Sequence, residues 1–209
     1  MKGGLIGKYY TLKYIAGVII VTLVISSCSM MSSMQTGRTM KKGDVGLAVG
    51  YGSLLESNGS NVFSDFHFLE LNLRYGLFKY FDVGLEFASA YPTTLDVKYQ
   101  FAGTDSSIYA CSIGFGFTVQ SARSGFREIG VLVPLYTSFH PIKEVAVFLS
   151  PRVYCYHDSM NWLTYTGLST GFRFGGAFAL VLEYDIYKII SKDSQTVSQV
   201  IAGLSYNIP

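Results

Sequence analysis

From Gly43 to Ile208 the chain reads as ten runs in which bulky apolar residues alternate with small or charged ones. A period of two is the signature of a strand whose two faces meet different surroundings. The runs span about residues 43–55, 63–77, 82–91, 94–102, 107–119, 127–139, 143–156, 162–174, 177–188 and 196–208. The clearest sets Leu95, Val97, Tyr99 and Phe101 against Asp96, Lys98 and Gln100. Val83, Leu85 and Phe87 oppose Asp82, Gly84, Glu86 and Ala88. Ile113, Phe115 and Phe117 oppose Ser112, Gly114, Gly116 and Thr118. Phe178, Leu180, Leu182, Tyr184 and Ile186 alternate with Ala179, Val181, Glu183 and Asp185. The phase slips between Phe68 and Leu69, which predicts a β-bulge there. No stretch of this region keeps an apolar stripe at helical spacing, so no helix is expected in it.

Two features turn these strands towards a membrane. The runs are mostly ~10–14 residues, longer than ordinary soluble strands and long enough for a tilted strand to cross a bilayer. The glycines also share a face with Glu86, Lys98 and Arg173, while the aromatics take the other. A soluble barrel turns its bulky groups inward; a membrane barrel turns them to lipid and keeps small or polar groups for the lumen. Hydrophobic residues make up 49% of the 209 and charged residues 14%. That charge share is far below the ~25% of soluble domains and fits an apolar surrounding. The expected fold is all-β: a single up-and-down antiparallel transmembrane β-barrel of about ten strands, with eight or twelve as alternatives. Closure pairs every backbone group, as the bilayer demands.

The N-terminus reads as a targeting segment. Lys2, Lys8 and Lys13 precede Tyr14 to Ile25, a low-polarity run too short to span a bilayer as a helix. Ile25-Ser26-Ser27-Cys28 follows. This resembles the lipobox of bacterial lipoproteins. The resemblance implies cleavage before Cys28, a diacylglyceryl group and an N-acyl chain on that cysteine, and, with Ser29 next, sorting to the outer membrane. Residues 1–27 are thus expected as a lipoprotein signal peptide, 28–42 as a flexible tether rich in Ser, Met, Thr and Lys, and 43–209 as the barrel. The precursor has 16 basic and 14 acidic side chains; removing three lysines and no acids leaves 13 and 14, a net of −1. No nucleic-acid partner is expected.

The links after even runs are short: Phe78 to Phe81, Gly103 to Ser106, His140 to Ile142 and Gly175-Gly176. Those after odd runs are mostly longer, as in Glu56 to Val62 with its Asn58-Gly59. Leu71 to Leu77, the turn Phe78 to Phe81 and Asp82-Val83-Gly84-Leu85-Glu86 resemble the hairpins of small, porin-like outer-membrane barrels. The closing run to Ile208 resembles the terminal signal such barrels show to their assembly machinery, although it ends in Pro209 rather than an aromatic residue. Membrane lipid and that machinery are the partners the resemblance implies.

By the alternation, Glu70, Arg74, Glu86, Lys98, Arg152, Arg173, Glu183 and Asp185 face the lumen, the two signs in balance. Such charges either pair into a plug or line a narrow selective pore. Candidate chemistry is thin. His157-Asp158-Ser159 are neighbours on a loop and make no triad by themselves. His140 precedes Pro141 in a turn and reads as structural, while His67 is a candidate lumen residue without ligand neighbours in sequence. No catalytic residue, metal or cofactor is expected. Cys111 and Cys155 fall on the fifth and seventh runs, with one strand between them. This puts them beyond disulfide reach. Three functions stay open: a non-enzymatic barrel with a structural or surface-binding role, a narrow channel for ions or small solutes, and a lipid-tethered soluble ligand-binding barrel in the periplasm. The ligand is not identified.

The mature chain should begin at Cys28 and carry lipid. Mass spectrometry of the purified membrane protein would show a triacylated N-terminal peptide; an unmodified start at another residue refutes the lipoprotein assignment.

Overall fold

The computed structural model describes residues 34–58, 61–89, 92–121, 127–157, 162–190 and 196–209. The signal segment and Cys28 lie outside them. Ten strands follow in chain order: β1 (Val45–Asn58), β2 (Asn61–Phe78), β3 (Phe81–Ala88), β4 (Thr93–Ala102), β5 (Tyr109–Ser121), β6 (Arg127–Ile142), β7 (Val145–His157), β8 (Trp162–Gly175), β9 (Phe178–Ile189) and β10 (Thr196–Ile208). Each pairs antiparallel with its neighbours in sequence. β1 then pairs with β10 from Val45↔Ile208 to Ser57↔Thr196, which closes the circle. The ten runs are therefore ten strands of one up-and-down barrel. Val45 and Ile208 share one end, here the near mouth; Asn58 and Asn61 mark the far mouth.

The outer wall is apolar. Leu95 is 60% exposed, Tyr99 52%, Phe101 54% and Phe115 53%, and Phe117, Leu180 and Leu182 stand out beside them. Val97 is half-buried on the same outer face. Soluble proteins rarely expose an apolar patch larger than a few hundred Å², yet here it runs round the whole wall. A soluble ligand-binding barrel needs the opposite polarity, so that alternative does not fit.

The structure departs from the sequence reading in several places. No bulge lies between Phe68 and Leu69: the β1–β2 register is continuous from Asp65 to Tyr75, and the irregularity sits at Glu56/Ser57. The apparent slip arises because Phe68 points inward, 2% exposed, although it is aromatic. Its partner Gly52 makes this possible; a Cβ there would lie 2.3 Å from the Phe68 ring. His67 is consequently outside, not in the lumen, and stacks on Tyr51 with ring centroids 5.6 Å apart. The far end of the first hairpin is also no long loop. The ladder runs on to Asn58↔Asn61.

The inward face is not simply small and polar. Phe148, Tyr136, Tyr154 and Tyr187 join Phe68 inside, and each lies over an inward glycine of an adjacent strand: Gly171, Gly114, Gly130 and Gly167 respectively. The glycines leave the space that the rings occupy. Leu54, Phe68, Leu132, Tyr154, Tyr165 and Val197 belong to one buried cluster on the far side of the lumen.

Cys111 and Cys155 are free and partly buried on the outer face. Along β6 their partners are Thr137 and Val131, roughly 20 Å apart at strand rise. Alkylation of the unfolded protein without reductant should label both cysteines. A linked Cys111–Cys155 peptide would contradict the strand order.

Candidate functional site

The near half of the lumen is where β2, β3 and β4 converge their charges. Arg74 on β2 and Asp96 on β4 both stand opposite Gly84 of β3, and Asp82 stands opposite Lys98. A Cβ at Gly84 would fall 2.5 Å from Asp96 Oδ2 and 2.6 Å from Arg74 Nη1. Only the missing side chain lets the two charges meet across the middle strand. Arg74 Nη2 donates to Asp82 Oδ1 and to Asp96 Oδ1, both at 2.6 Å; Nε adds Asp82 at 3.0 Å and Nη1 adds Asp96 Oδ2 at 3.1 Å. Lys98 Nζ stands 3.7 Å from Asp82 Oδ2. A guanidinium shared by two buried carboxylates is the arrangement that offsets desolvation of all three.

A second group lies across the barrel. Arg152 on β7 reaches Glu183 at 3.8 Å and donates to the Tyr187 hydroxyl at 3.1 Å. Asp185 Oδ2 accepts from Gln199 Nε2 at 2.6 Å. Glu70 and Glu86 are buried on β2 and β3, and Asn72 Nδ2 approaches Glu86 Oε2 at 3.5 Å. Arg173 is placed differently from the rest: it sits at the rim and donates to the carbonyls of Gly175 and Gly176. Asp82 and Asp96, which the alternation had set on the same face as Glu86 and Lys98, are buried here too. Added to the eight expected lumen charges they make six carboxylates against four basic groups, so that set does not balance.

The segment expected as a free tether is the largest surprise. Residues 34–40 lie inside the barrel, and Met34 and Gln35 are buried. Lumen side chains hold this segment by its peptide groups. The Met34 N–H donates to Glu183 Oε2 at 2.6 Å, Gly37 N–H to Ser138 Oγ at 2.9 Å, Thr39 N–H to Gln100 Oε1 at 2.9 Å and Met40 N–H to Asp82 Oδ2 at 2.8 Å. The Ser112 hydroxyl donates to the Gly37 carbonyl, and Lys98 Nζ donates to the Arg38 carbonyl at 3.0 Å. The contacts climb from Asp82, near the start of β3, to Glu183, halfway along β9. That is a rise of about 10 Å for a tilted strand. Composition marked the stretch as flexible; a lumen of matched donors and acceptors, invisible in the stretch itself, orders it.

A cavity of about 520 Å³ remains at the near mouth, bordered by this segment and by Arg38, Asp105, His140, Lys143, Glu144 and Arg173. Burial pulls the Arg38 guanidinium below its ordinary value, and Asp105 opposes the shift. His140 turns inward and pairs with the Ser138 hydroxyl at 2.8 Å. His157 packs edge-on against Trp162 with centroids 5.1 Å apart; Asp158 and Ser159 lie outside the described residues. Among the described residues no group of three or more His, Cys, Asp or Glu side chains is arranged to hold a metal.

An outer-membrane channel from Pseudomonas putida F1 superposes with a TM-score of 0.51 at 11% identity, over 85% of this chain and all of that one. The outer-membrane protease OmpT of Escherichia coli superposes with a TM-score of 0.50 at 9% identity, over 84% of this chain and all of that one. The fold is that of a bacterial outer-membrane β-barrel. No protein-family model matches the chain, and no curated protein matches it. At these identities the likeness speaks for architecture alone.

Arg74→Ala should cost about 3–5 kcal/mol, because it strands Asp96 as a buried charge and leaves Asp82 with Lys98 alone. Arg173→Ala should cost under about 1.5 kcal/mol, since it frees only two carbonyls at the rim. Urea unfolding in lipid vesicles, followed by tryptophan emission, checks the order; equal losses would refute the assignment.

Proposed function

We propose that this chain is a non-enzymatic outer-membrane lipoprotein whose barrel is sealed in its resting state and serves a structural or surface-binding role. Cys28 is the lipid attachment site in this reading, and the near mouth faces the periplasm. The apolar wall supports the membrane assignment: transferring it from water to lipid is favourable by roughly 25 cal/mol per Å². β10 (Thr196–Ile208) would present itself to the assembly machinery before it closes on β1.

The observation that carries the sealed reading is the filled lumen. Residues 34–40 and the Arg74, Asp82 and Asp96 pairs share its near half, and the cluster of Phe68, Tyr154 and Tyr165 fills the far side. Arg74, Asp82, Asp96, Lys98, Arg152 and Glu183 are engaged with one another and with the segment. They are not presented to a substrate, which is the support for a non-enzymatic role. A narrow channel is the second reading. It is favoured by the carboxylate excess among the lumen charges, which would make an opened lumen attractive to cations.

Intact protein reconstituted in a planar bilayer should give no steady unitary conductance. Regular open steps at low voltage would overturn the sealed reading in favour of the channel.

A further inference from the structure

The barrel ladder is complete without residues 34–42. β1 begins at Val45, and the circle closes through β1 and β10. The segment adds no strand to it. Nor is the segment held chiefly by its own side chains. Six lumen side chains on five strands meet its backbone: Asp82 on β3, Lys98 and Gln100 on β4, Ser112 on β5, Ser138 on β6 and Glu183 on β9. Donors face carbonyls and acceptors face N–H groups. Recognition of a chain by its peptide groups is one way proteins bind peptides, with selectivity set by the few positions where a side chain matters.

Two positions supply that selectivity. At Gly37 a Cβ would lie 2.3 Å from the Ala110 carbonyl oxygen and 2.8 Å from its carbon. These are backbone atoms of β5, locked in the ladder and unable to move aside. At Met34 the side chain fills a slot between two inward glycines: a Cβ at Gly50 would be 2.8 Å from its sulfur, and one at Gly203 would be 2.7 Å. The slot accepts a long, unbranched apolar group. The lumen therefore reads the peptide groups of a segment that bends at Gly37, with a flexible apolar side chain at one end and no side chain three residues later.

From this we infer that the near half of the lumen is a peptide-binding site, filled here in cis by residues 34–40, and that it accepts a peptide of the same pattern in trans once this segment is displaced. The ligand class is a peptide with methionine, two spacer residues and a glycine at which the chain bends, offered from the near mouth. The inference rests on the sealed-lumen reading for the identity of the plug. The two can fail separately, because one is read by conductance and the other by peptide binding in detergent.

The test uses the full chain. Gly37→Val should undock the segment while leaving the wall intact, so trypsin should cut after Arg38 at least tenfold faster than in the unaltered protein. A fluorescent synthetic peptide of residues 33–42 should then bind the Gly37→Val protein saturably, by anisotropy, and bind the unaltered protein at least tenfold more weakly. The same peptide carrying valine at position 37 should not bind either protein. Heat-modifiable gel migration reports whether each barrel is folded. Should Gly37→Val fail to fold, Gly37→Ala serves instead, because its single Cβ already meets the Ala110 carbonyl oxygen, and the same faster cleavage and peptide capture are expected. Equal binding by the valine peptide, unchanged cleavage at Arg38 in a folded variant, or no saturable binding would each overturn the proposal.

Discussion

Everything in this structure depends on the β1–β10 ladder. A bilayer offers no water to unpaired peptide groups, and an open ten-strand sheet would expose two edges of them. Thirteen register partners, from Val45↔Ile208 to Ser57↔Thr196, remove both edges at once. Closure then fixes a circumference, and the circumference fixes an interior volume that the chain has to fill. The inward side chains answer that demand in different ways along the axis. Along the wall, rings fold over glycines of the next strand. In the near half, Arg74 is shared between Asp82 and Asp96. Beside them the chain fills the space with its own preceding segment.

The charge belt and the plug depend on each other. Glu183 faces Arg152 at 3.8 Å and also accepts the Met34 N–H; Asp82 binds Arg74, faces Lys98 and accepts the Met40 N–H. Each of these carboxylates sees a full charge on one side and a peptide dipole on the other. Lys98 mirrors them, with Asp82 beside it and the carbonyls of Thr36 and Arg38 above. The peptide groups thus complete a shell that the wall alone leaves partial, which a low-dielectric interior requires of buried ions.

The sequence was legible where a rule acts locally. Alternation of Leu95, Val97, Tyr99 and Phe101 against Asp96, Lys98 and Gln100 told the two faces apart, because each residue's face follows from its neighbours in the same run. The strand order followed because short links leave no other path. What failed needed knowledge of the next strand. Phe68 looks lipid-facing until Gly52 is known to stand opposite it. Asp82 and Asp96 carry little meaning until Gly84 brings Arg74 between them. Residues 34–42 have the composition of a linker, and nothing within them announces that six side chains scattered from Asp82 to Glu183 fit their backbone. A Met-x-x-Gly spacing ahead of the first strand was the one available hint, and it is too short to be specific.

The placement of the plug also orders the folding of the molecule in time. Five of its six partners lie on the consecutive strands β3 to β6, and the sixth, Glu183, lies on β9 across the circle, so the neighbouring hairpins alone leave the site incomplete. The β1–β10 ladder joins residues from opposite ends of the domain, the kind of contact with the largest loop-closure cost and the slowest to form. The segment joins β1 at the near mouth through Lys41 to Asp44, where Gly43 and Asp44 tie to Gly76 of β2, and can enter the circle from there without reopening the wall. Its burial is therefore a late event. A docked segment at Glu183 is the molecule's own record that all ten strands have found their partners.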